Sequence, residues 1–229
     1  MMRCFLVFLS IKRLKMFTNK YTPVGLWYQQ FIRLFWFGGM VVILLTDKYE
    51  LHKKLNSLGT GWLDLVMRFY THLGDGVFAI ALGLLFMIKN IRLGLLIIIS
   101  YVSSAIIAQL LKQVVFTNFH RPYYYFKEDE TFRFIENFTY HSHHSFPSGH
   151  ATSCFAVFTL LAYFFEEKKQ YQLLFAFLAI SVAFSRVYLS QHFLQDIIAG
   201  SMIGYFSAHL CWILLQDKLS KLDRPFKSS

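Results

Sequence analysis

The sequence predicts an all-α, polytopic membrane protein: a six-transmembrane-helix bundle whose polar chemistry gathers on the extracytoplasmic side. Three observations predict it. Of the 229 residues, 55% are hydrophobic and only 16% charged, against about 25% charged in an ordinary soluble domain. Six apolar stretches recur, at about 31–46, 73–88, 93–111, 151–165, 171–187 and 197–215. Lysine and arginine are distributed unevenly among the segments that join them. A mean hydropathy of +0.42 and an abundance of Phe (26) and Tyr (13) fit a chain whose surface faces lipid, with aromatics at helix contacts and headgroup level. A soluble protein with a rich core is the competing reading, and the charge content disfavours it.

Crossing the hydrocarbon takes about 20 residues. The third and sixth stretches meet this directly, and the others borrow a turn from their flanks. The short apolar run Cys4–Ile11 is too brief to span, and Lys12, Arg13 and Lys15 follow it on the wrong side for a signal peptide. It reads as an interfacial stub, with Met16 as an alternative start. The chain thus divides into a basic cytoplasmic segment 1–30, a membrane domain 31–216 and a basic cytoplasmic tail 217–229.

Orientation follows from the basic residues. With the N-terminus in the cytoplasm, the inner segments hold 14 of the 23 Lys and Arg but 4 of the 13 Asp and Glu. The outer side holds nine of each, so the formal charge of +10 lies on the inner face, where anionic lipids favour it. The bilayer accounts for the charge without nucleic acid. Cys4, Cys154 and Cys211 stand far apart, with no metal or disulfide spacing.

Three outer regions remain. Residues 47–72 read as an amphipathic helix lying on the membrane plane, with Leu51, Leu55, Leu58 and Trp62 on one face and a break near Gly59 and Gly61. Residues 113–147 read as a long polar loop, and 185–196 as a short turn. In Phe146-Pro147-Ser148-Gly149-His150 this loop meets the fourth span. Proline suits a first helical turn, free N–H groups and the helix dipole there favour an anion, serine adds a donor, and glycine admits a ligand close to the backbone. His150 then stands where it can give or take a proton. In Ser185-Arg186 and His192…Asp196, a helical reading puts His192 and Asp196 four apart on one face. A carboxylate on one ring nitrogen fixes the tautomer and frees the other to attack, and Arg186 offers a planar fork to oxyanions. Lys112 ends the third span, and Arg121-Pro122 follows in the loop. Each fragment alone has an ordinary reading as a cap, surface pair or turn. Their order on one membrane face favours the chemical one.

These motifs resemble the type 2 phosphatidic acid phosphatase superfamily, whose signature is Lys…Arg-Pro, Pro-Ser-Gly-His and Ser-Arg-x5-His-x3-Asp. The second and third parts match at 147–150 and 185–196. The first departs: eight residues separate Lys112 from Arg121 where the family has six, and Val114 occupies the usual lysine position. Lys112 is carried over because valine cannot bind phosphate. The resemblance covers about 100–215, and the N-terminal third matches only in its span pattern.

The resemblance implies a metal-independent, two-step phosphatase without cofactor. His192 is the implied nucleophile, Asp196 its orienting partner, and His150 the acid and then the base. Lys112, Arg121, Ser148, Gly149 and Arg186 are the implied phosphate-binding residues. Implied substrates are lipid phosphates or pyrophosphates: polyprenyl pyrophosphate, phosphatidylglycerophosphate, phosphatidic acid or lipid A phosphates. The short loops resemble bacterial members, which implies the inner membrane with a periplasmic site. The partners expected are the bilayer and a lipid-phosphate substrate. Protein partners are left open.

A lipid phosphotransferase on the same fold is the nearest alternative, and a non-catalytic lipid-phosphate binding or transport protein the more distant one. The related vanadium-dependent peroxidases share the anion cradle but are soluble. His141-Ser-His143-His144 invites a zinc reading, which fails for want of Cys or carboxylate partners at matching spacing; it reads better as a polar neighbour of the pocket. His120 reads as a rim residue or a surface histidine, Glu128-Asp129-Glu130 as a solvated run, and His209 as a hydrogen-bonded residue inside the bundle.

Overall fold

A computed structural model describes residues 25–222. The stub at Cys4–Ile11 and most of both basic end segments lie outside them. The described residues are helical, without strands: α1 (Leu26–Leu45), α2 (Lys48–Asn56), α3 (Gly61–Tyr70), α4 (Gly76–Lys89), α5 (Ile91–Leu110), α6 (Pro122–Phe126), α7 (Gly149–Phe164), α8 (Lys169–Tyr188) and α9 (Leu194–Leu219).

All six apolar stretches are helices, but they differ in length. α1, α5, α8 and α9 are long and apolar enough to cross a membrane. α4 has 14 residues, about 21 Å at 1.5 Å per residue, and α7 has 16. Both fall short of the roughly 30 Å of hydrocarbon. Counting α4 with the bent segment before it, across a 57° break, gives up to five candidate spans. The expectation of six spans is therefore supported in part: all six stretches are helical, and four, or up to five, qualify as candidate spans.

Packing is closest between α7 and α9. Two glycines permit it: a Cβ on Gly200 would collide with the Ser148 carbonyl oxygen, and one on Gly204 with that of Thr152. α1 joins through polar contacts that lipid rewards. Gln172 Oε1 accepts from Trp27 N (2.9 Å), Tyr28 Oη meets Thr159 Oγ1 (2.9 Å), and Trp36 Nε1 donates to Ser201 Oγ (2.8 Å). His209 bonds Tyr163 Oη at 2.9 Å, as a histidine inside the bundle must. Outside the bundle, Leu34, Phe37, Leu44, Val77, Ile88, Ile106 and Phe177 stand exposed, an apolar girdle suited to lipid rather than water. With the transmembrane relatives described below, this makes the protein a multi-pass membrane protein.

The regions expected on the outer side are more structured than the sequence suggests. Residues 47–72 form two helices and a 3-10 turn (Thr71–Gly74) rather than one amphipathic helix. Asp47 caps α2 through Tyr49 N and Glu50 N, and Thr60 caps α3 through Leu63 N, so each start has its own signal. The supposed loop 113–147 contains α6 and folds back onto these helices. Asp64 takes a bidentate pair from Arg133 (2.6 and 3.0 Å) and a bond from Tyr188 Oη (2.6 Å). Asp129, expected to be merely solvated, pairs with Lys53 at 2.7 Å.

Candidate active site

The starts of α7 and α9, the end of α8, the end of α5 and the Thr71–Asp75 turn converge at one pole of the bundle. α7 begins at Gly149, with Ser148 as its N-cap accepting from Ala151 N. Pro147 therefore precedes the helix instead of opening it, and Gly149 keeps one of the unpaired N–H groups of the first turn. The Ser148 N–H donates to the Asp196 carbonyl (2.9 Å), which fastens the Pro-Ser-Gly-His segment to α9.

His192 and Asp196 do meet, but not as helix neighbours. α8 ends at Tyr188, and residues 189–193 turn back so that the Gln191 and His192 N–H groups both donate to the Arg186 carbonyl (2.9 and 3.2 Å). His192 thus precedes α9, and Asp196 occupies the third position of that helix. Its Oδ2 accepts from Phe193 N (2.9 Å) and Ser145 Oγ (2.6 Å) and stands 3.4 Å from His192 Nδ1. Both residues are buried. Nδ1 faces the carboxylate, so Nε2 is left for other chemistry. Burial, reinforced by the charges of Arg121, Lys112 and Arg186, holds the His192 imidazole well below its usual pKa and so favours its neutral form.

The cations surround this pair. Arg121 caps α6, with Pro122 at its first position. Its Nε donates to the His143 carbonyl (3.0 Å) and its Nη1 to Gln191 Oε1 (3.0 Å). Arg186 is buried, donates from Nη1 to Thr71 Oγ1 (2.8 Å), and has an unpartnered Nε. Lys112 lies in a turn of π-helix, Leu111–Val115, that ends α5. In this turn Lys112 is buried while Val114 is 73% exposed. A Cβ placed on Gly149 would lie 4.0 Å from Lys112 Nζ. The site residues expected from the sequence therefore all reach one region.

Three residues escaped sequence reasoning. Ser145 is buried and bonds Asp196, and only its place just before the Pro-Ser-Gly-His motif hinted at it. Thr71 contacts Arg186 from a segment far upstream, with no local signal. Asp75 Oδ1 stands 2.6 Å from His150 Nε2. His141 borders the cations, since burial and then Arg121 and Arg186 lower its pKa. His120 stacks on Tyr124 and lines a cavity of about 160 Å³ with Lys48, Tyr125 and Asp196. Among the described residues no group of three His, Cys, Asp or Glu stands at metal-holding geometry.

Behind His192, α2 braces its loop. His52 lies parallel to the directly stacked rings of Phe126 and Phe132, packs against Phe193 and meets Ser190 Oγ at 3.2 Å. Asn56 Nδ2 reaches the same hydroxyl and the Arg133 carbonyl.

The fold agrees with known proteins the chain is similar to. It is 29% identical over 157 residues to phosphatidylglycerophosphatase B of Bacillus subtilis (strain 168), covering 62% of this chain and 70% of that protein. Its fold matches the crystal structure of Aquifex aeolicus LpxE with a TM-score of 0.63, at 22% identity, over 75% of this chain and 99% of that one. It also matches the transmembrane PAP2-type phosphatidylglycerolphosphate phosphatase of Bacillus subtilis with a TM-score of 0.59, at 21% identity, over 89% and 100% of the two chains. The sequence model of the PAP2 superfamily matches residues 93–220, the stretch that holds every motif described above, and the chain belongs to that superfamily.

Proposed function

We infer that this protein is a membrane phosphatase that hydrolyses a lipid phosphomonoester or pyrophosphate without metal or cofactor, through a phosphohistidine at His192. One observation carries the reading: a buried, neutral His192 backed by Asp196, with His150 nearby and three cationic side chains around it. Nε2 of His192 attacks phosphorus while the bond to the leaving oxygen breaks. His150 protonates that oxygen, then takes a proton from the water that splits the phosphohistidine. Lys112, Arg121, Arg186, Ser148 and the Gly149 N–H hold the non-bridging oxygens and stabilise their developing charge.

The substrate class rests on location. A cationic pocket at the end of an apolar bundle suits an amphiphile whose phosphate reaches the pocket while its tail stays in lipid. Relatives named for phosphatidylglycerophosphate support phosphatidylglycerophosphate itself, and polyprenyl pyrophosphate, phosphatidic acid and lipid A phosphates share that chemistry. Six crossings, with α4 and α7 as short spans beside a locally thinned interface, put the site on the periplasmic face of a bacterial inner membrane. The excess of Lys and Arg at the opposite pole supports this orientation.

The test uses detergent-purified protein, a chelator and a panel of these lipids, with released phosphate as readout. Wild type is expected to release phosphate, and His192→Ala to lose at least about 1000-fold while still inserting. A fully active H192A excludes His192 as nucleophile. Appearance of a newly phosphorylated lipid in place of free phosphate shows transfer instead.

A further inference from the structure

His150 is held from a direction that the Pro-Ser-Gly-His motif does not predict. Asp75 lies between the 3-10 turn Thr71–Gly74 and α4, at the N-cap position of that helix. An aspartate there ordinarily accepts from the helix's free N–H groups, a contribution of about 1 kcal/mol. Asp75 makes no such bond. Its Oδ1 meets His150 Nε2 at 2.6 Å, and its Oδ2 meets His72 Nδ1 at 2.6 Å. Both carboxylate oxygens serve histidines instead of the helix.

The backbone around Asp75 is fitted to this contact. A Cβ on Gly74 would lie 3.1 Å from both the Cβ and the carbonyl oxygen of His150, so glycine lets the turn press against the start of α7. Three residues earlier, Thr71 accepts from Arg186. One short turn therefore touches both the proposed acid and a proposed phosphate ligand. The other charges that act on His150 are those of Arg186 and Arg121, both positive, and His192 lies close enough to feel it. Burial and these arginine charges together disfavour a protonated imidazole, and among these neighbours Asp75 alone opposes them.

We propose that Asp75 is a positioning residue for His150, fixing its ring through Nε2 and stabilising the imidazolium from which the leaving oxygen is protonated. The inference rests on the reading of His150 as general acid. In the step concerned, the P–O bond breaks with its electron pair passing to the leaving oxygen. The proton on His150 Nδ1 moves to that oxygen, and the neutral ring stays bonded to Asp75 through Nε2–H. His72, largely exposed, holds the far carboxylate oxygen and so fixes the carboxylate plane.

The experiment compares kcat/KM for two probes, a short-chain phosphatidic acid and p-nitrophenyl phosphate, in wild type, H150A, D75N and D75E. An alkoxide leaving group needs the proton, whereas nitrophenolate leaves without it. General acid catalysis is worth about 100- to 10000-fold. D75N is expected to lose roughly 100-fold on the lipid but under about 5-fold on the aryl ester. H150A should show the same asymmetry more strongly, and D75E should recover part of the lipid rate. Equal losses of D75N on both probes, beside an asymmetric H150A, overturn the role of Asp75 and leave the proposed reaction standing. A symmetric H150A overturns the acid role itself. Should D75N fail to fold, D75A supplies the same comparison.

Discussion

Ser145 donates the shortest hydrogen bond to Asp196, 2.6 Å, while the Asp196–His192 separation is 3.4 Å. A carboxylate that accepts from Phe193 N and Ser145 together is aimed before it meets the imidazole. A hydrogen bond to a charged group contributes about 1.5–3 kcal/mol, which corresponds to roughly 10- to 100-fold in rate. Ser145→Ala should therefore lower kcat by that amount with little change in KM, as measured by phosphate release. An unaltered kcat shows that Phe193 N alone aims the carboxylate. His150, His192, Asp196, Arg186 and Arg121 were legible in the sequence because their motifs are short and contiguous. Ser145, Thr71 and Asp75 were not, because each acts across a tertiary contact, and no spacing rule links the turn before α4 to the start of α7. Lys112 was chosen against the usual spacing, on the chemistry of valine alone, and the structure buries it beside Gly149 while Val114 is exposed.

The pairing of α2 with the 189–193 turn shows how an outer helix serves the pole. The amphipathic pattern of 47–72 was readable, but its division into two capped helices and its purchase on α6 and the Arg133 region were not. Leucine spacing describes a face and leaves the partner unstated. His52 is buried in an aromatic cluster outside the candidate spans, and that burial pushes its pKa down to about 4. Above pH 6.5 the ring is neutral in folded and unfolded chains alike, and its titration adds no pH dependence. As pH falls from 6.5 to 4 the unfolded chain takes up a proton that the folded one refuses. Stability then drops by about 1.4 kcal/mol per pH unit, about 3 kcal/mol across the window. His52→Phe, which keeps the stacking, should flatten the pH dependence of the thermal midpoint in detergent by one proton's worth. A variant as acid-sensitive as wild type shows that other groups set the slope.

For the molecule as a whole, hydropathy located the apolar helices, of which four or up to five are candidate spans, and the basic residues supplied the proposed direction. They could not give length, because α4 and α7 start where the chain must turn into the site. The proposed topology predicts sidedness. In a cysteine-free background, a cysteine at exposed position 128 should react with an impermeant maleimide from the periplasm. One at 218 should react only after the membrane is opened. Labelling of both from the same side refutes the six-crossing arrangement. The bond from Ser148 N to the Asp196 carbonyl, together with the glycine-mediated contact of α7 and α9 below it, has a mechanical consequence. The two imidazoles ride on backbone segments stitched to each other, so thermal motion displaces them in concert. In the proposed reaction, the gap a phosphoryl group must bridge between attacking nitrogen and departing oxygen is then set by main-chain stitching, the same for every lipid, and discrimination among substrates falls to the walls that receive the tail.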